Sequence, residues 1–170
     1  MAAEDNAAIV RGWAQAAFNQ HDLEAAAQFL APDWVGHWAG RGEEQGVEGF
    51  KRLAGAYVRA FPDMQIRVED AVAEGDRVVR RVSWTGTHQG SFLGIAPTGR
   101  RVRGEGTVIM RIAGDKIAEE WEMSNLLGLL QQLGAVPNFS LDAAPTQPTR
   151  AVGSAHRGCR AGRRRRACSG

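Results

Sequence analysis

The sequence predicts an α+β fold in which helices cover one side of a curved antiparallel sheet and enclose a pocket. Three features lead there. Apolar residues recur at helical spacing over roughly the first 60 residues, the period then falls to two as far as about residue 124, and a short leucine-rich helix follows. Helix-period runs grouped ahead of strand-period runs indicate elements segregated into layers.

Ala7, Ile9, Val10, Trp13, Ala16, Ala17 and Phe18 fall on one helical face, which gives a first helix from about residue 5 to residue 20. Asp22 is placed to cap a short second helix, "LEAAAQFL", which stops before Pro32. "DWVGHWAG" reads as a short aromatic strand or loop, and "GRGEEQG" as a surface loop. In "GVEGFKRLAGAYVRAF" the apolar side carries Val47, Phe50, Leu53, Ala54, Tyr57, Val58 and Phe61, a third helix that "PD" ends. Four strand-like runs follow: "MQIRVEDAVAEG", "RVVRRVSWTGTHQG", "RVRGEGTVIMRIAG" and "KIAEEWEM". Gly, Asp or Pro separate them, and Gly114-Asp115 supplies a hairpin turn for the last pair. Asn125 then caps "NLLGLLQQLG", and Gly134 ends that helix. No internal repeat is present.

The net charge of +2 conceals a split. All seven basic residues after residue 149 are arginines and no acid follows Asp142, which leaves 14 basic against 19 acidic residues in 1–149, a net −5. Nothing in this acidic part suggests nucleic acid. The tail "RAVGSAHRGCRAGRRRRACSG" lacks large apolar residues and aromatics, so it reads as a solvated, disordered Arg/Gly-rich extension over 142–170, beyond a single domain at 1–141. Its arginines could meet RNA or an anionic membrane, but no aromatic residue interleaves with them. Cys159 and Cys168 both fall in the tail, outside any core disulfide or CxxC metal site. "MAAEDNAAIV" resembles no signal peptide and no run is long enough to span a bilayer, so a cytoplasmic location is expected. The chain carries no GxxxxGK[ST] loop, no strand-borne GxGxxG, no HExxH and no GxSxG elbow.

The stretches "GTHQGSFLGIAPTGRRV", "MRIAGDKIAEEW" and "LLGLLQQLG" are similar to those of the SnoaL-like polyketide cyclases, or ester cyclases, of the NTF2-like superfamily. The resemblance covers roughly residues 5 to 137. It implies an NTF2-like cone-shaped barrel, usually a homodimer, holding a small hydrophobic polyketide-like substrate. It also implies intramolecular aldol-type ring closure without metal or organic cofactor, using a carboxylate on the last long strand. Counting back from "LLGLLQQLG" puts that carboxylate at Glu122, where the family has an aspartate. The companion histidine of the preceding strand falls on Val108, and Glu120 stands where "EHWD" relatives have a histidine. Some relatives act instead as hydroxylation partners.

Strand parity supports the same acids. Ala118, Glu120, Glu122 and Ser124 share one face, expected to line the cone, while Ile117, Glu119, Trp121 and Met123 share the other, expected to pack under the helices. Two carboxylates in an apolar pocket cannot easily both ionise, so one can serve as base while the other donates a proton. Glu120 alternatively pairs with a rim arginine, Arg80 or Arg103. His37, set between tryptophans in a segment expected to face the cavity mouth, is either a catalyst or a hydrogen-bonded wall residue. His88 either holds its glycine loop or points at the pocket. Trp38, Tyr57 and Met110 are the expected walls for an aromatic ligand, with Val108 beside them. The resulting reading is a cofactor-free, acid–base cyclase or isomerase. The alternatives are a small-molecule-binding protein on the same scaffold or a hydroxylation partner.

Overall fold

The computed structural model describes residues 3–40 and 42–139. Helix α1 (Ala3–Ala14) carries Glu4 and Asp5 in its first turn, where acids favour the positive end of the helix dipole. It runs into a single π-helical turn, Gln15–Asn19, that keeps Ala16 and Ala17 buried. Asn19 fixes this turn to the sheet, its Oδ1 accepting from the Ile66 amide at 2.7 Å and its Nδ2 donating to the Ile66 carbonyl at 3.1 Å. Asp22 caps α2 (Leu23–Ala27) by accepting from the Ala25 amide at 2.9 Å. The longest helix, α3 (Gly46–Ala60), buries Phe50 and Ala54. The last, α4 (Leu126–Leu133), begins at an Asn125 cap that accepts from the Gly128 amide and ends at Gly134, whose φ of +80° suits glycine.

Six strands, β1 (Leu30–Trp38), β2 (Gly42–Gln45), β3 (Gln65–Glu74), β4 (Arg77–Thr87), β5 (Arg101–Ala113) and β6 (Lys116–Ser124), form one sheet in the order β2-β1-β6-β5-β4-β3. The sheet is curved but open, since β2 and β3 end it on opposite edges, so the expected barrel is not closed. It is also mixed. β1 runs parallel to β6 while the other pairs are antiparallel, because α3 and the β3–β5 meander separate those two strands in the chain. "GEEQ", expected as loop, is the edge strand β2, whose polar side chains suit an edge.

Alternation along β4 and β5 sorts the two faces. Val78, Arg80, Val82 and Trp84 point inward with Val102, Gly104, Val108, Met110 and Ile112. On the inner face α1 and α3 close over the sheet, with Trp13 and Phe50 at 5.7 Å and Phe50 edge-on to Trp34 at 6.0 Å. A second apolar cluster joins Phe61, Trp84, Phe92, Leu129 and Leu133 under the loop after β4 and under α4.

One irregularity matters for the acids of β6. Opposite the step from Ile112 to Arg111, β6 advances two residues, Ile117 to Glu119, so Ala118 is a bulge. Ile117 therefore turns inward and is buried, instead of sharing a face with Trp121 as expected. The face carrying Glu119, Trp121 and Met123 is the outer one, not the one beneath the helices, and Met123 is 70% exposed there. Among the described residues no helix is long and apolar enough to cross a membrane. The expected tail at 142–170, with both cysteines, lies outside the described residues, as does the expected domain boundary.

Candidate active site

Cross-strand register lays the inner residues in rows. One row runs Val78, Met110, Glu120, Gly36; the next runs Arg80, Val108, Glu122, Trp38. Above them α1, the π turn and α3 contribute Trp13, Phe18, Phe50, Leu53 and Tyr57. The cavity between measures about 780 Å³ counted out to its open mouth, an upper bound on what a ligand can fill. Glycines admit the rings that wall it. A Cβ on Gly36 would lie 2.2 Å from the Trp38 ring and 2.5 Å from that of Trp34, and one on Gly104 would lie 2.1 Å from the Trp84 indole. Both positions are filled by aromatic faces lying across bare backbone.

Glu120 and Glu122 line this cavity together, two residues apart on one face. Their surroundings differ. Glu120 is 3% exposed, and burial pushes its carboxyl up to about 8; Arg80 opposes that shift and Glu122 adds to it. Glu122 is half-buried, and its Oε2 accepts a 3.1 Å hydrogen bond from the Trp38 indole N–H. Arg80 also lines the cavity. It is 2% exposed, its guanidinium 4.8 Å from the centre of the Trp13 ring. Burial pulls Arg80 down from its ordinary value while the two glutamates hold it up.

The expected partners divide. Trp38, Tyr57 and Val108 line the cavity. Tyr57 packs edge-on against Trp84 at 6.2 Å and Phe92 at 4.9 Å. Met110 is fully buried in the core in the row of Glu120 and is not part of the lining. His37 is on the outer face, against expectation, because its strand phase puts it in a row with Trp121 and Glu43. There its ring stacks on Trp121 at 5.4 Å, Nε2 meets Glu119 at 3.0 Å, and Nδ1 meets Glu43 at 3.2 Å. Glu119, bound also by Arg111 at 3.1 Å, is thereby held below the usual carboxylate range, His37 acting first and Arg111 second. His88 is fully buried away from the cavity. Its Nδ1 accepts from the Thr98 amide at 3.2 Å, so the ring braces the loop 88–100 and does not reach the ligand space.

Arg103, the other expected rim arginine, is exposed on the outer face. Arg80 is interior rather than on the rim. Its signal was the phase of "VVRRVSW", where Val78, Arg80, Val82 and Trp84 occupy the buried alternation. Trp13, Phe18 and Phe50 face the cavity from helices whose apolar stripes read only as core.

The family model described as SnoaL-like polyketide cyclase matches residues 8–133. The nogalonic acid methyl ester cyclase of Streptomyces nogalater is 30% identical over 126 residues, covering 69% of this chain and 90% of that one. Among solved structures, AclR of Streptomyces galilaeus, provisionally named a hydroxylase, is 31% identical with a TM-score of 0.74 over 82% of this chain and 87% of its own. IdmH of Streptomyces antibioticus, provisionally named a polyketide cyclase, is 31% identical with a TM-score of 0.67 over 76% of this chain and 98% of its own.

Proposed function

This chain belongs to the SnoaL-like polyketide cyclases, and from that premise we propose that it closes a ring in a polyketide ester by carboxylate acid–base catalysis. The observation that carries the reading is the placement of two glutamates on one cavity face in unlike surroundings. Glu122 is half-buried with an indole donor; Glu120 is buried and keeps its proton at neutral pH. Glu122 takes a proton from a carbon flanked by two carbonyls, and the enolate carbon attacks a ketone of the same molecule. One C–C bond forms as the ketone π bond opens, and Glu120 gives its proton to the new alkoxide. Transfer of the first proton from Glu122 to Glu120 restores the pair, so the overall change is an isomerisation. A carboxylate is a sufficient base only for a carbon acid activated in this way.

Nogalonic acid methyl ester, which the relative from Streptomyces nogalater is named for, is the substrate class to try first. The test is a pH–rate profile of wild type and Glu122→Gln, with binding followed through tryptophan fluorescence. Glu122→Gln should bind but lose about 100-fold or more in rate. Wild-type turnover should decline as pH passes about 8 and Glu120 ionises. Undiminished turnover by Glu122→Gln refutes the assignment. The likeness to AclR favours a second reading, a hydroxylation partner, which predicts hydroxylated product only when a reductase is supplied. A homodimer through the outer sheet face belongs to the leading reading, since Val72, Val79, Ile109 and Met123 leave that face partly apolar.

A further inference from the structure

Arg80 is a cation of the cavity interior, near two glutamates but with few hydrogen-bond acceptors in reach. Its Nε and Nη1 are buried without a hydrogen-bond partner among the described residues. The indole nitrogens of Trp13 and Trp34, which also line the cavity, are buried without partners as well. Every such unpartnered side-chain atom of the lining is therefore a donor. Leaving donors buried and unpaired costs stability, more so for a charged group, and a ligand that supplies acceptors recovers that cost on binding. Glu120 and Glu122 act on the guanidinium through space, and Arg80 in turn opposes the rise of the Glu120 carboxyl, which burial outweighs; neither carboxylate reaches Nε or Nη1 as a hydrogen-bond acceptor.

We propose that Arg80 is the oxyanion receptor of this cavity, and that the ligand presents an ionised oxygen, as a 1,3-dicarbonyl enolate or as a carboxylate, to its guanidinium. The Trp13 ring covers one face of the guanidinium, and polar contact is then made at its edge. The proposal rests on the cyclase reading only for the role of that oxygen. If Glu122 deprotonates a carbon acid, Arg80 holds the oxygen on which the negative charge collects.

The experiment measures equilibrium binding by quenching of the cavity tryptophans. The probes are 1-hydroxy-2-naphthoate, its neutral methyl ester and 2-acetylindane-1,3-dione, an enolate at neutral pH. They are titrated at pH 6.5 into wild type, Arg80→Met and Arg80→Lys. Wild type should hold at least one anion about tenfold or more tightly than the ester, the scale of one charge-assisted hydrogen bond. Arg80→Met should lose that preference while binding the ester as before, which also reports an intact cavity, and Arg80→Lys should keep part of it. Preference for the acetylindanedione assigns the oxygen to an enolate; preference for the naphthoate assigns it to a carboxylate. Equal binding of anions and ester by wild type overturns the proposal without any variant. An anion preference that survives in Arg80→Met overturns it too. Turnover is read separately. Loss of the anion preference in Arg80→Met with an inactive wild type refutes the cyclase reading alone, and an active wild type with no anion preference refutes the Arg80 proposal alone.

Discussion

Replacing Glu120 by glutamine changes the charge chemistry of the cavity while keeping its shape, so its effect on stability can be worked out in advance. In the folded chain burial pushes the Glu120 carboxyl up to about 8, against 4.5 for an unperturbed glutamate. Below 4.5 both folded and unfolded states carry the proton, and the side chain exerts no pH-dependent effect. Between 4.5 and about 8 the unfolded chain releases its proton and the folded chain does not, so stability falls as pH rises. The slope is about 1.4 kcal/mol per pH unit, and the whole window costs on the order of 4–5 kcal/mol. Above about 8 both states are ionised and the loss stops growing. Glutamine has no such window. Urea denaturation of wild type and Glu120→Gln at several pH values from 5 to 8.5 should give midpoints that nearly coincide at the acid end. Toward pH 8 they should diverge, the glutamine variant becoming the more stable by several kcal/mol. Stability curves that run parallel across the window would show that Glu120 is ionised in the folded protein, paired with Arg80, and would remove the proton donor from the mechanism.

Trp38→Phe keeps an aromatic ring beside Glu122 but removes the 3.1 Å donor, and should lower kcat by about tenfold while ligand binding stays within about twofold. Gly104→Val drives a side chain into the Trp84 indole, and calorimetry should show a loss of roughly 2–3 kcal/mol or a displaced Trp84 with altered fluorescence. His37→Ala removes a ring from the outer face, so turnover should stay within about twofold while stability falls by roughly 1 kcal/mol as its contacts with Trp121 and Glu119 vanish. Asn125→Ala strips the cap of α4 and should cost about 1 kcal/mol by chemical denaturation.

Sequence periodicity reached most of this fold because burial is one-sided in nearly every element. The four long strands and α3 declare themselves by alternation and by an apolar stripe, and Asp22, Asn125 and Gly134 mark helix ends by local chemistry. The parallel pairing of β1 with β6 did not show, since a strand's own residues carry no record of the direction of a distant neighbour. Edge strand β2 was hidden because "GEEQ" lacks an apolar face. For the site, parity placed Glu120 and Glu122 on one face and the family resemblance marked Glu122, although the opposite face, expected beneath the helices, is the outer one. His37 was misplaced because a histidine between two tryptophans looks interior, whereas Trp34 and Trp38 turn inward on the opposite phase. Arg80 was visible as an arginine in the buried phase of β4, but its lack of acceptors at Nε and Nη1 depends on side-chain geometry that no pattern encodes.

The bulge at Ala118 sets which chemistry the cavity holds. The hairpin pairs Ala113 with Lys116 and Ile112 with Ile117. Were Ala118 paired opposite Arg111 instead of bulging, the same count would bring Glu119 opposite Met110 and Trp121 opposite Val108. Glu120 and Glu122 would then look out into water, and a glutamate, a tryptophan and a methionine would face the ligand. The reactive pair is thus selected by the phase of a backbone, through one small residue that touches no substrate. Along such a strand, insertion or deletion of one residue at a paired position exchanges one complete set of interior groups for another, whereas loss of the bulged Ala118 itself would leave Glu119 opposite Arg111 and both acids inward.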